Sequence, residues 1–136
     1  MSKVLAIDFG MKRTGLAISD DAKMFAFGHD TINSEYLMRE LQKLIPAQKI
    51  DTIVLGLPLN MDYSETDITK NVYLFKEALE IEFPTLKIEL LDERFTSKMA
   101  SQAMHMGGAS KKQKREKGLV DKVSATIILQ SYLGKR

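Results

Sequence analysis

Cysteine is absent from this 136-residue chain. That removes disulfides, thiolate metal ligands and cysteine nucleophiles, and nothing points to an oxidising compartment. A cytoplasmic protein is the default expectation. Histidine is scarce: His29 and His105 stand far apart, which argues against a histidine zinc site or a Ser-His-Asp triad. Any metal chemistry should use carboxylates. No apolar run is long enough to span a bilayer, so no membrane partner is expected. The opening apolar run meets Asp8 too soon for a signal-peptide core. What is present, 44% hydrophobic and 28% charged residues, suits one globular domain over residues 1–136.

Twenty basic and 18 acidic residues give a net charge of only +2, but the distribution is uneven. Residues 1–109 hold 12 basic and 16 acidic side chains, whereas Ser110 to Arg136 hold 8 and 2. Such asymmetry suggests a polyanionic partner. Within that tail, Lys111, Lys112, Lys114, Arg115 and Lys117 crowd a segment with no apolar face, which predicts a mobile basic loop over about 108–118.

Apolar runs predict strands at Lys3 to Phe9 and Thr14 to Ser19, joined by a hairpin turn at Gly10-Met11-Lys12-Arg13. A third strand is expected over Met24 to Phe27, with an extension past Gly28 to Ile32 left open. Leu37, Leu41, Leu44 and Ile45 then keep helical spacing behind an Asn33 or Ser34 cap, with a stop at Pro46. Thr52 to Leu57 is a continuous run, as in a strand buried on both faces. From about Glu65, Ile68, Val72, Phe75 and Leu79 stripe a second helix that closes at Phe83-Pro84. Lys87 to Leu91 returns as a strand. A third helix is expected from Thr96 or Ser97 to Gly107-Gly108, and a last one over Leu119 to Leu133. The order β-β-β-α-β-α-β-α-α predicts an α/β fold with a mixed five-stranded sheet and helices packed on it.

Three acidic positions stand out. Asp8 ends an apolar strand beside a tight turn, and alternation puts it on the face of Val4 and Ala6. It either overlooks a crevice or bonds the backbone of its own turn. Asp92-Glu93-Arg94 ends another strand, where alternation lets only one acid join Asp8 and the spacing does not say which. A surface ion pair with Arg94 is the plain alternative. Asp121 sits in a helix with little polar face, next to the small Ser124 and Ala125, which would let that end approach the sheet closely. Its plain reading is an acid in the first helical turn, favoured by the helix dipole. Carboxylates converging from two strand ends and a helix suit hard divalent cations, as in two-metal phosphodiester hydrolysis. Lys12, Arg13, Arg94 and the loop around Lys114 can hold a nucleic-acid backbone.

Four segments, in this order and spacing, carry a family resemblance: Ala6-Ile7-Asp8-Phe9-Gly10 through Lys12-Arg13-Thr14-Gly15, Gly56-Leu57-Pro58-Leu59-Asn60, Asp92-Glu93-Arg94-Phe95-Thr96-Ser97, and Lys117-Gly118-Leu119-Val120-Asp121. Nearly the whole chain resembles the YqgF (RuvX) family, described as pre-16S rRNA nucleases and also as Holliday junction resolvases. The resemblance implies an RNase H-like fold related to the RuvC resolvases. It implies Asp8, Glu93 and Asp121 as catalytic, metal-binding acids for one or two Mg²⁺ or Mn²⁺ ions, and it selects Glu93 over Asp92. The expected activity is metal-dependent endonuclease cleavage of structured nucleic acid, foremost 5′ processing of precursor 16S rRNA. Holliday junction resolution and a non-catalytic RNA-binding assembly role are the alternatives. Lys12, Arg13, Arg94, Lys114, Arg115 and Lys117 would hold phosphates. Asn60 and Thr96 would bond the nucleic-acid backbone or order their own turns. The protein would act as a monomer or homodimer. Two departures appear: RuvC enzymes carry a glutamate at the end of the fourth strand, where this chain has Gly56-Leu57-Pro58, and Met11 stands where the family often has Thr. A nucleotide-binding relative of the actin-like and sugar-kinase ATPases would begin with a similar hairpin, but the chain has no room for their second domain.

Overall fold

The computed structural model describes residues 2–58, 66–92 and 117–134, with side chains in the last segment from Lys122 onward. Its strands are β1 (Lys3–Asp8), β2 (Arg13–Ser19), β3 (Ala26–Asn33), β4 (Ile50–Leu57) and β5 (Lys87–Asp92). They form one sheet in the order β3-β2-β1-β4-β5. β1 pairs antiparallel with β2, and β2 with β3, while β4 adds parallel to β1 and β5 parallel to β4. The short turns of a hairpin impose the first pattern. The longer crossovers through helices impose the second.

One face of the sheet packs on α1 (Leu37–Ala47) and α2 (Thr69–Glu82). Leu5, Ile7, Leu16, Ile53 and Leu55 point there and join Leu37, Leu41, Val72 and Leu79 in one buried cluster. The other face carries α3 (Lys117–Gly134) over Val4, Ala6, Ala17, Val54 and Leu91, which meet Ala125, Ile128 and Leu129. Both layers follow from the period-two alternation of the strands against the 3.6-residue stripes of the helices. Ser124 and Ala125 are buried against the sheet, as the small-residue pair one turn after Asp121 predicted.

Several boundaries differ from those expected. β1 ends at Asp8, one residue before Phe9, and β3 begins at Ala26 and reaches Asn33. Asn33 caps a short 3₁₀ turn (Ser34–Tyr36), accepting the Glu35 N–H at 3.0 Å, before α1 begins at Leu37. α1 runs one residue past Pro46 because the final turn closes behind the proline, where the Gln48 N–H reaches Leu44 O at 2.9 Å. The chain then leaves the helix through Lys49 in the left-handed region, φ 56°. α2 starts at Thr69, later than the expected Glu65, which lies outside the described residues. Thr69 Oγ1 accepts from Thr66 N–H at 2.8 Å and donates to Pro58 O at 2.5 Å, tying the helix start to the end of β4. α3 already includes Lys117 and Gly118, so the basic segment is helical at its last two positions. The remainder of that segment, and the helix expected from Thr96 or Ser97 to Gly107-Gly108, lie outside the described residues.

Candidate functional site

Asp8 is half-buried at the carboxyl end of the central strand. The pleat decides where it faces. Val4 and Ala6 belong to the α3 layer and Leu5 and Ile7 to the opposite one. One residue on, Phe9 stacks on Phe75 of α2 with centroids 4.9 Å apart and planes at 19°. Asp8 therefore lies on the α3 face. Gly15 of β2 is directly opposite it. On the other side Ile7 pairs with Leu55, so Gly56 is next in register, and Gly56 pairs in turn with Leu91 of β5. At this level three adjacent strands present Gly15, Asp8 and Gly56 to the α3 face. Neither neighbouring strand sets a side chain beside the carboxylate at this level.

β5 separates the two acids that the spacing left open. Leu91 packs in the α3 layer, while Ile88 and Leu90 pack in the opposite one. Asp92 follows their parity and is on the α1/α2 face, exposed and away from Asp8. Glu89 shares the α3 face but is committed elsewhere. The Tyr132 hydroxyl donates to it and Lys87 pairs with it at 3.1 Å, and together they hold its carboxyl below the usual range.

Asp121 is the fifth residue of α3 and belongs to its second turn. The first-turn position expected for it is thereby corrected, since the helix start, with its dipole and orphan amides, belongs to the residues before it. Spacing of four and seven puts position 121 on the helix face of Ala125 and Ile128, the face laid on the sheet. The helix crosses that face from β3 toward β5. A Cβ at Gly28 of β3 would come within 2.9 Å of Lys122 Cγ and 3.1 Å of Thr126 Oγ1, and Tyr132 bonds Glu89 at the far side. The Asp121 and Lys117 side chains, and Glu93, Arg94, Thr96, Asn60, Lys114 and Arg115 entirely, lie outside the described residues. Among the described residues no three His, Cys, Asp or Glu gather closely enough to hold a metal ion. Asp8 supplies one hard oxygen donor of the kind Mg²⁺ and Mn²⁺ prefer.

The hairpin that follows Asp8 is locked from an unexpected direction. A Cβ at Gly10 would collide with the carbonyl oxygen of Arg13, so the turn requires glycine there. Ser34 Oγ donates to Gly10 O at 2.5 Å and is 2.8 Å from Thr14 Oγ1, while Ser34 N–H donates to Lys12 O at 2.9 Å. One serine thus braces the segment that displays Lys12, exposed, and Arg13, half-buried. Sequence reasoning saw Ser34 as a helix cap and missed this role, which no local spacing signals. The glycine opposite Asp8 was within reach of it, because a four-residue turn after Phe9, Gly10 to Arg13, sets Gly15 across the ladder from Asp8.

A family model described as RuvX, Holliday junction resolvase, matches residues 2–135. A protein of Christiangramia forsetii is 41% identical over 98% of this chain and 98% of its own. One of Flavobacterium psychrophilum is 42% identical over 100% and 99%. Both carry the provisional name pre-16S rRNA nuclease. Among solved structures, T. thermophilus RuvC in complex with a Holliday junction substrate superposes with a TM-score of 0.58 at 14% identity, covering 98% of this chain and 97% of that one. The fold is therefore RNase H-like, as in RuvC. Among the described residues no helix is long and apolar enough to cross a membrane.

Proposed function

Since this chain belongs to the RuvX family, we propose that it is a nuclease that hydrolyses phosphodiester bonds in structured nucleic acid, with precursor 16S rRNA as its substrate. The observation that carries the reading is the placement of Asp8, a carboxylate on the α3 face flanked on both neighbouring strands by glycine. Glu93 and Asp121 complete the acid set in this proposal. Two points support them: Asp92 is on the wrong face, which leaves the next position to match Asp8 in parity, and position 121 is on the helix face turned to the sheet.

These three carboxylates would hold one or two Mg²⁺ or Mn²⁺ ions. Such ions supply Lewis acidity toward a phosphodiester and a strong nucleophile from water. The chain's own side chains do the rest. Lys12 and Arg13, fixed by the Ser34 brace, meet the phosphate backbone with Arg94, Lys114, Arg115 and Lys117, while Asn60 and Thr96 bond sugar or phosphate oxygens. Work on rRNA places the protein in the cytoplasm. RNA is favoured over a DNA junction because β4 closes on Gly56-Leu57, followed by Pro58, with no carboxylate where RuvC enzymes carry one, and because the curated relatives bear the rRNA name.

Cleavage of labelled precursor rRNA, single-stranded RNA and a four-way DNA junction, each with Mg²⁺, Mn²⁺ or EDTA, tests this directly. Wild type should cut the rRNA precursor only with metal. Asp8→Asn and Asp121→Asn should each reduce the rate at least about 10³-fold, roughly the 4 kcal/mol of one lost transition-state contact, without loss of secondary structure. Tight binding with no products from any substrate would instead support an RNA-binding assembly role, and junction cleavage alone would transfer the reading to resolution.

A further inference from the structure

In the turn that follows Asp8, Phe9, Met11, Lys12, Arg13, Asn33 and Ser34 line an open groove of about 660 Å³, with Glu35 among its walls. That is within the range of small-ligand sites, about 300–1,000 Å³. Its composition is not that of a simple phosphate patch. Met11 is 66% exposed, an apolar side chain held in water by a turn that Gly10 and Ser34 rigidify. Exposed in this way, it contributes no apolar burial to the fold. Phe9, stacked on Phe75, forms a fixed apolar wall. The Asn33 side-chain oxygen accepts the Glu35 N–H, and its NH₂ group can donate to a ligand. Two cations, an apolar thioether and an amide donor surround a volume in the turn that follows Asp8, on the side of the sheet where Phe9 meets Phe75.

From this we infer that the groove is a subsite for one unpaired nucleotide of the bound strand, its base against Met11 and Phe9 and its phosphate on Lys12 and Arg13. A thioether against the face or edge of an aromatic ring is favourable, base stacking on an apolar platform tolerates any sequence, and the Asn33 donors suit the carbonyl or ring-nitrogen acceptors that every base carries. The net positive charge of Lys12 and Arg13 over Glu35 complements a polyanion. A paired base, stacked within a duplex, would have to flip out before it could enter. The site thus selects single-stranded segments. The inference rests on the nucleic-acid reading above and names the strand state that the same site takes.

Binding in EDTA tests it independently of cleavage. The probe is a fluorescent single-stranded RNA of about ten nucleotides, compared with the same RNA bearing one abasic nucleotide at each position in turn, and with a blunt duplex of equal length. Wild type should lose about three- to tenfold in affinity for one abasic position. Met11→Ala should lose the same factor on intact RNA and become insensitive to the abasic site, with an unchanged salt slope and unchanged duplex affinity. Met11→Asp should lose more on single strands. Met11 is exposed, so these variants keep the fold, and a matching thermal midpoint checks that they do. Equal losses on duplex and single strand, or no loss at Met11→Ala, would overturn the subsite even if metal-dependent cleavage were intact. Absence of cleavage with the Met11 effect present would leave the subsite standing and count against the nuclease reading alone.

Discussion

The two faces of the sheet are built from different material. Toward α1 and α2 the strands present Leu5, Ile7, Leu16, Ile18, Ile53, Leu55 and Leu57, all buried. Toward α3 the same strands present Val4, Ala6, Ala17 and Val54, with Gly15 and Gly56 at the Asp8 level. Large branched side chains fill a thick layer and supply most of the apolar burial. Small ones let a helix lie close to the sheet, which contributes less burial per residue but fixes the separation between backbone elements. The thick layer is therefore the stabilising one. The thin layer is a gauge: it sets how far α3, with its acid, stands from Asp8.

Substitution can break this division of labour. The largest expected effect is on stability in the thick layer. Leu55→Ala removes a fully buried side chain and should cost about 2–5 kcal/mol, read as a lowered urea midpoint. Cleavage well below the thermal midpoint should stay within about twofold, a margin of roughly 0.4 kcal/mol. If Leu55→Ala lost activity in proportion to stability, the two faces would not be separable.

The complementary change acts on the thin layer. Ala6 is fully buried under α3, and Ala6→Leu must push the helix outward, at about 1–3 kcal/mol of overpacking. Here the loss of cleavage should exceed the loss of stability, tenfold or more, because a displacement of about 1 Å can cost 10²-fold in a positioned site. Normal cleavage by a folded Ala6→Leu protein would show that the separation of α3 from the sheet has no bearing on function.

Much of this layering was legible in the sequence, because alternation within β1, β2 and β4 and the helical stripes of α1 and α2 are local signals. The same alternation foresaw the face of Asp8. It did not decide between Asp92 and Glu93, because parity along β5 has meaning only once Leu91 is known to pack under α3. The second-turn position of Asp121 was misjudged because α3 continues back through Gly118, a residue that reads as a breaker when nothing shows what supports the helix. Long-range polar bonds were invisible altogether. Ser34 reaches Gly10 across 24 residues and Ser2 reaches Asp51 across 49, and neither residue type announces such a partner.

That last pair belongs to the end of the sheet opposite Asp8 and yields the smallest expected effect. Burial raises the Asp51 pKa, but hydrogen bonds from Lys23 at 2.8 Å, Ser2 at 2.5 Å and Thr52 at 3.0 Å outweigh it and leave the carboxyl below its usual value. A group with a lowered folded pKa stabilises above its unfolded value, near 3.9, and that contribution disappears as pH falls through the folded value. Lys23 and Asp51 are partly exposed, 21% and 43%, so solvent screening holds the pair to about 1 kcal/mol or less. Lys23→Met should therefore lower the thermal midpoint slightly at pH 7, and the difference should shrink as pH falls through the lowered folded pKa of Asp51 and the carboxyl becomes protonated in both proteins. Cleavage at neutral pH should be unchanged, since this cluster ties the β2–β3 turn to the start of β4 and touches neither layer at the Asp8 level. A pH-independent difference between the two proteins would mean that Lys23 acts through its aliphatic stem rather than its charge, and a loss of cleavage would mean that the two ends of the sheet are mechanically coupled.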